Sequence, residues 1–176
     1  QPGMGEGLIN WVDRMIEAAA KRMPAVGVSL DPLTFGDLTG GEAAASVNLR
    51  MMTTNITFGI GQALPDLGAT PLYFEESELK QVLPENAVNY MMRLDERRNM
   101  STEDGKRLYR FPAGPLLPVI AAVRMSLSFP VLFTAFPLYA IIRAPKSGRG
   151  GTQHKLERVL YSDGGITSNF PIRFFD

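Results

Sequence analysis

The chain has 176 residues, 45% of them hydrophobic, which is enough apolar side chain for one domain with its own core. Its 18 basic and 18 acidic residues cancel, so no charge excess favours a polyanionic partner, and we expect no nucleic-acid binding. The absence of cysteine excludes disulfides and thiol nucleophiles, and one histidine, His154, leaves too few ligands for a zinc or iron site. We expect a single domain over residues 1–176 without metal or cofactor.

The start of the chain lacks a targeting signal. Residues 1–7 are rich in glycine and have neither a basic start nor an apolar stretch, so they do not form a signal peptide. There is also no initiator methionine, which suggests that the natural chain begins elsewhere. We expect a cytoplasmic or peripheral-membrane protein.

The first half of the chain combines helical and extended patterns. Apolar residues at helical spacing predict a helix over residues 8–23, ended by Pro24. Three glycines within residues 34–41 predict a loop. Alternating apolar and polar residues predict a strand over residues 47–57, and a short second strand is expected over residues 71–74.

The second half of the chain also contains both helical and extended patterns. Ser77 is a candidate N-cap for a short helical turn. Further elements are predicted as helices over residues 84–98 and 119–127, an extended segment over 131–142, a basic glycine-rich loop over 146–155 and a short strand over 158–162. Helices that alternate with apolar strands indicate an α/β layer domain.

An uncharged stretch over residues 125–142 is nearly long enough to span a membrane. Pro130 and Pro137 interrupt it, and prolines end or kink helices. We favour buried elements of a core over a membrane span, although the same surface could contact lipid at an active-site mouth.

The segment most indicative of chemistry is Asp163-Gly164-Gly165, which follows the predicted strand over residues 158–162. Glycines accept positive φ, so the chain can turn sharply and leave the carboxylate projecting toward a cleft. Clefts in open α/β sheets gather at the carboxyl ends of strands. Asp-Gly is also a favoured turn sequence, so the local pattern alone favours a plain turn over a catalytic carboxylate.

Four segments in order resemble the patatin-like phospholipases. Asp163-Gly164-Gly165, with Asn169 and Pro171 after it, resembles the family's catalytic-aspartate motif. Residues 32–38 resemble the loop before a core strand, residues 48–56 that strand, and residues 121–130 the helix beside the active site. The resemblance covers most of the chain. It implies a three-layer α/β/α domain with a mostly parallel central sheet.

The resemblance also implies a serine–aspartate dyad that hydrolyses lipid esters through an acyl-enzyme. Asp163 would be the catalytic base, a role that requires partial burial and hydrogen-bond reach to the serine. Gly164 and Gly165 would shape the turn, and Asn169 would support it. A possible active-site wall is formed by residues of the preceding helix and its end, namely Arg124, Ser126, Ser128 and Pro130.

The chain departs from the family at the nucleophile. The family's serine lies in a Gly-x-Ser-x-Gly elbow, and no serine here has glycine at both of those positions. We therefore expect a fragment that begins downstream of the elbow and is inactive alone, while the full-length parent hydrolyses phospholipids or other acyl lipids. The alternative is an inactive lipid-binding or protein-interaction module with the same architecture.

Several other features have competing interpretations. Ser126 and Ser128 could replace the nucleophile, but hydroxyls that cap or line a helix are much commoner. Acidic residues 75–78 open a predicted helical turn, where they favour the helix dipole, so we interpret them as structural. His154 and the basic residues between 143 and 158 could meet anionic lipid, although a solvated loop is the simpler interpretation.

Overall fold

The structure is a computed structural model that describes residues 7–22, 30–39, 46–95, 100–129, 133–145 and 152–167. Its helices are α1 (Leu8–Ala19), α2 (Phe35–Thr39), α3 (Glu76–Leu79), α4 (Glu85–Leu94) and α5 (Val119–Ser126). Its strands are β1 (Met51–Asn55), β2 (Ile60–Leu64), β3 (Leu72–Glu75), β4 (Met100–Ser101), β5 (Arg107–Arg110), β6 (Phe136–Pro145) and β7 (Thr152–Asp163).

The seven strands among the described residues form one sheet in the order β2-β1-β7-β6-β3-β5-β4, and every pairing between neighbours is antiparallel. The prediction of a mostly parallel central sheet is therefore wrong. The connections explain the difference. Strands β1 and β2, β4 and β5, and β6 and β7 are joined by connections of four to six residues, which are too short for the crossover that parallel neighbours require.

The longest hairpin, β6–β7, was missed by the sequence patterns. Its two strands pair over ten residues, from Phe136 opposite Tyr161 to Pro145 opposite Thr152. The outer half of β7 contains Gln153, His154 and Lys155, whose polarity resembles that of a loop. Pairing with β6 makes this segment a strand, so the predicted loop over 146–155 is wrong from residue 152 onward.

The helices lie close to their predicted positions. Helix α1 ends at Ala19, before the predicted end at residue 23, and α4 ends at Leu94 rather than at residue 98. The short helix α2 lies where a loop was predicted. Helix α3 is capped by Glu75, which accepts hydrogen bonds from the backbone N–H groups of Ser77 and Glu78, so Ser77 is not the N-cap.

Glu75 therefore has the structural role that the sequence suggested. Burial alone would raise the pKa of Glu75, but the hydrogen bonds from Ser77 and Glu78 outweigh it and hold that pKa below its usual value.

The core lies where α5 packs on β1 and β7 and where α4 packs on β5, with α1 against α5. Fully buried side chains from both layers include Phe74, Leu117, Met125, Phe136 and Tyr161. The aromatic rings of Phe74, Phe111 and Phe136 stack edge to face in a row across the sheet. This packing holds the end of β7 against the C-terminal end of α5, which is where the candidate site lies.

The predicted preference for core elements over a membrane span between residues 125 and 142 agrees with the fold. This stretch contains the end of α5 and most of β6. Within the described residues, no helix combines the length and the apolar character that crossing a bilayer would require.

Candidate active site around Asp163

Asp163 is the last residue of β7, directly opposite Thr53 on the neighbouring strand β1. Its side chain is half-buried. The carboxylate oxygen Oδ1 accepts a hydrogen bond from the backbone N–H of Gly165, so Asp163 caps the 3-10 turn Gly164–Ile166. This hydrogen bond orients the carboxylate, and it uses Oδ1 and not Oδ2.

Gly164 is required by the geometry for a reason different from the predicted one. It lies in the right-handed 3-10 turn and does not have a positive φ. The main chain of Gly164 approaches β1 so closely that a Cβ atom built on it would lie 2.4 Å from the carbonyl oxygen of Met52. A side chain has no space there, and Gly164 brings Asp163 next to β1.

The backbone of Asp163 is tied to the end of α5 through Ser128. The carbonyl oxygen of Ser128 accepts hydrogen bonds from the backbone N–H of Asp163, at 3.2 Å, and from the Ser162 hydroxyl, at 2.7 Å. On the other side, the Thr53 hydroxyl donates to the carbonyl of Ser162 at 2.9 Å. Sequence patterns did not single out Thr53 or Ser162, because hydroxyl side chains are common in strands.

Arg124 supports the same corner from within α5. Its guanidinium donates to the hydroxyl of Ser128 and to the carbonyl oxygen of Thr134, the latter at 2.9 Å. It also lies over the ring of Phe133, 5.0 Å from the ring centroid. Arg124 is buried, and this burial lowers the pKa of its guanidinium. These contacts orient the end of the helix.

The hydroxyl of Ser128 is fully used inside this network. It donates to the carbonyl oxygen of Arg124 at 2.7 Å and accepts from the guanidinium, and the residue is buried. These contacts match the capping interpretation and leave no free hydroxyl to act as a nucleophile. Ser126 is half-buried, lies two residues earlier and is the last residue of α5. Pro130 and Asn169 lie outside the described residues.

Three large apolar side chains are exposed on the two segments that the hydrogen bond from Asp163 N–H to the Ser128 carbonyl joins. Leu127 and Phe129 flank Ser128, and Ile166 follows in the turn after Asp163. Each of the three is about half exposed, at 49%, 53% and 51% respectively. We call these residues the apolar rim.

Two cavities in the described part of the chain lie elsewhere on the sheet. One, of about 400 Å³, is enclosed by the segment 67–72 and the segment 110–113. The other, of about 500 Å³, adjoins the first and extends along β6 toward Tyr161. Asp163 does not line either of them. Neither cavity is therefore the cleft that the sequence predicted at the end of this strand.

Comparison with known proteins places the chain in a family. The sequence profile of the patatin-like phospholipases matches residues 6–176. The RpoH suppressor of Rhizobium meliloti (strain 1021) is 30% identical over 210 residues, covering 96% of this chain but 32% of that relative, so the chain spans about a third of its length. No solved structure matches the chain significantly. Because the profile match extends over almost the whole chain, and the ordered blocks of residues had indicated the same relationship, the chain belongs to the patatin-like phospholipase family.

Proposed function

We propose that the protein of which this chain forms the Asp163-bearing part is a lipid acyl hydrolase, and that Asp163 is its catalytic base. The observation that carries this proposal is the position of Asp163 within a chain that matches the patatin-like phospholipases from residue 6 to residue 176. Asp163 is half-buried at a strand end, with one carboxylate oxygen oriented by a backbone N–H.

The proposed reaction uses a serine supplied by a part of the protein outside these 176 residues. Asp163 accepts the proton of the serine hydroxyl through Oδ2 while the serine oxygen bonds to the ester carbonyl carbon. Collapse of the tetrahedral intermediate breaks the ester C–O bond, the alcohol leaves with that proton, and an acyl-serine remains. Asp163 then takes a proton from water while the water oxygen bonds to the acyl carbon. The bond between the acyl carbon and the serine oxygen breaks, the serine oxygen receives that proton from Asp163, and the fatty acid is released.

The apolar rim supports a lipid substrate. Leu127 and Phe129, on either side of Ser128, and Ile166, three residues after Asp163, each expose about half of their surface, and we expect the acyl chains of a substrate to lie against them. Removing such chains from water at this surface would favour binding by about 25 cal/mol for each Å² of apolar area buried. A peripheral contact with a membrane surface through the rim belongs to the same proposal.

The role of Asp163 is tested in the full-length parent protein with a nitrophenyl ester and with a phospholipid. Asp163→Asn should lower kcat for both substrates by at least two orders of magnitude, because an amide cannot accept the serine proton. The matched control is Asp66→Asn, which removes an exposed aspartate paired with Arg50. Undiminished turnover by Asp163→Asn would refute the proposed role.

A second candidate function is a catalytically inactive lipid-binding or protein-interaction module. It is favoured by the lack of any Gly-x-Ser-x-Gly arrangement in the 176 residues. The two candidates are distinguished in the parent by a fluorophosphonate probe, which labels an activated serine. Labelling supports the hydrolase, and absence of labelling together with vesicle binding supports the module.

A further inference from the structure

The cavity of about 500 Å³ is separate from the candidate active site, because Asp163 does not line it. It is lined by the β1–β2 hairpin, the segment 67–70 and the strands β6 and β7. Its volume is in the range of small-molecule sites, which is roughly 300–1,000 Å³. Its lining combines buried polar groups at one end with exposed apolar side chains beside them.

The first polar group is the hydroxyl of Tyr161, a residue that is almost completely buried. Burial raises the pKa of Tyr161 to about 12, so the phenol is protonated at neutral pH. The side-chain carbonyl oxygen of Asn55 accepts a hydrogen bond from the backbone N–H of Phe58. The side-chain nitrogen of Asn55 therefore points toward Tyr161 and donates a hydrogen bond to the phenol oxygen. Because the phenol oxygen accepts from Asn55, its own proton remains to be donated.

The second polar group is the side-chain amide of Gln62. Its nitrogen donates to the carbonyl oxygen of Leu67 at 2.9 Å, which determines the orientation of the amide. The amide oxygen Oε1 is buried, and no hydrogen-bond partner for it is present among the described residues. A buried acceptor of this kind is uncommon in folded proteins, and it favours a donor supplied by a ligand.

The wall next to these groups is apolar. Phe58 and Ile60 line the cavity and are about half exposed, at 45% and 55%. Leu67 and Leu72 close the opposite side. A ligand with a short polar end and an apolar body could therefore hydrogen-bond to Gln62 and Tyr161 and cover the exposed side chains of Phe58 and Ile60.

We propose that this cavity binds a neutral amphiphile that carries a hydroxyl group, with the hydroxyl end at Gln62 and Tyr161 and the apolar body against Phe58 and Ile60. A hydroxyl both donates and accepts, so it can donate to Gln62 Oε1 and accept from the Tyr161 phenol. A carboxylate at the same place would only accept, would face the lone pairs of Gln62 Oε1, and would lose its hydration.

Two basic residues at the other end of the cavity could instead bind the polar end of a ligand. Arg143 and His154 are direct partners on β6 and β7, line the same cavity and are exposed. If the polar end of a ligand bound there, an anion would be preferred. The hydroxyl proposal therefore predicts selectivity for a neutral ligand, and the anion alternative predicts the reverse.

The test is binding of 1-octanol and of sodium octanoate to the 176-residue chain, followed by NMR chemical-shift titration and calorimetry at pH 8. We expect saturable binding of 1-octanol, at least about fivefold tighter than that of octanoate, with the largest shifts at residues 55–62. Tyr161→Phe and Gln62→Met should each weaken 1-octanol binding about fivefold, the loss expected for one neutral hydrogen bond.

The matched control is Tyr139→Phe, which removes a half-buried phenol that donates to Glu78 and does not line the cavity. It should leave binding of 1-octanol unchanged, and a thermal melt of each variant verifies that it is folded. Tighter binding of octanoate that is lost in Arg143→Ala would overturn the proposal, as would unsaturable binding or full affinity in Tyr161→Phe. Because no turnover is measured, the result is independent of the catalytic role of Asp163.

Discussion

Gly164 shows how a single missing methyl group positions the candidate base. Without a side chain, the main chain after Asp163 can approach the carbonyl oxygen of Met52, and β1 and β7 remain paired up to the last residue of β7. The sequence predicted that this glycine matters, but it suggested the wrong reason. Positive φ is a local property, whereas the close approach to Met52 depends on a strand more than 100 residues earlier in the chain.

Gly164→Ala is therefore expected to destabilise the fold. The added Cβ would overlap the Met52 carbonyl, and relief requires the backbone to shift, at a cost of about 1–3 kcal/mol. The measurement is the free energy of unfolding in urea. The control is Gly7→Ala, because nothing lies within 4 Å of a Cβ at Gly7 and its φ is −60°. Equal effects of the two substitutions would contradict the steric explanation.

Ser128 provides a second prediction at the scale of one residue. Ser128→Ala removes the acceptor for the buried guanidinium of Arg124 and the donor to the Arg124 carbonyl. Groups left unsatisfied inside the protein should lower the free energy of unfolding by about 1–3 kcal/mol.

Ser126→Ala, at the half-buried last residue of α5, is the matched control and should change the stability by about 0.5 kcal/mol or less. Thermal or urea unfolding distinguishes the two variants. A stable Ser128→Ala variant would mean that Arg124 finds another acceptor.

Between elements, the contact of α1 with α4 contains a buried carboxyl group. Asp13 on α1 is buried, and it hydrogen-bonds to the side chain of Asn86 on α4. Burial, and then the charge of Glu17, raise the pKa of Asp13 from 3.8 to about 6. The folded protein thus binds a proton at Asp13 more tightly than the unfolded chain does.

This shift makes the stability of the fold depend on pH. As pH rises from about 4 to 6, the ionisation of Asp13 costs the folded state free energy, and above pH 6 the whole cost is present. Asp13→Asn should therefore stabilise the protein at pH 8 by ~2 kcal/mol, less than the shift multiplied by ~1.4 kcal/mol per unit because water screens part of the charge. Below about pH 4 the gain should disappear.

The measurement is urea unfolding of wild type and variant across this pH range. Asp66→Asn, at an exposed aspartate paired with Arg50, serves as the control and should not show the same gain. A gain for Asp13→Asn that is equal at pH 4 and pH 8 would contradict the linkage.

The β6–β7 hairpin illustrates what a local pattern misses at the scale of elements. Residues 158–162 were correctly predicted as part of a strand, because Val159, Leu160 and Tyr161 form a short apolar run. The continuation through His154 became a strand only because ten residues of β6 pair with it. Strand β5 was missed for a similar reason, since its short segment Arg107–Arg110 is extended by pairing with β3 and β4.

For the whole molecule, the order of the strands predicts a gradient of local stability. Strand β6 lies at the centre of the sheet between β7 and β3, whereas β2 and β4 are the edges among the described strands. Backbone amides in central strands open only in large unfolding events, but edge strands open locally. Hydrogen exchange followed by mass spectrometry should therefore be slowest for peptides from β6 and the inner half of β7.

Exchange in β2 and β4 should be faster by at least an order of magnitude. The paired core residues Leu138 and Val159, both fully buried, provide the slow reference within the same experiment. If β2 were as protected as β6, another part of the protein or a second molecule would have to cover the edge of the sheet.

The sequence by itself determined the family, the helices α1, α4 and α5, the strand that ends at Asp163, and the absence of cysteine chemistry. These features depend on residue identity and on spacing within a short window, which the sequence contains completely. Tertiary structure alone decided the antiparallel order of the sheet, the extension of β7 through His154, the close approach at Gly164 and the union of Gln62 with Tyr161 in one cavity. Each of these depends on which distant segments pair, and the free energy of pairing is distributed over contacts that no local window contains.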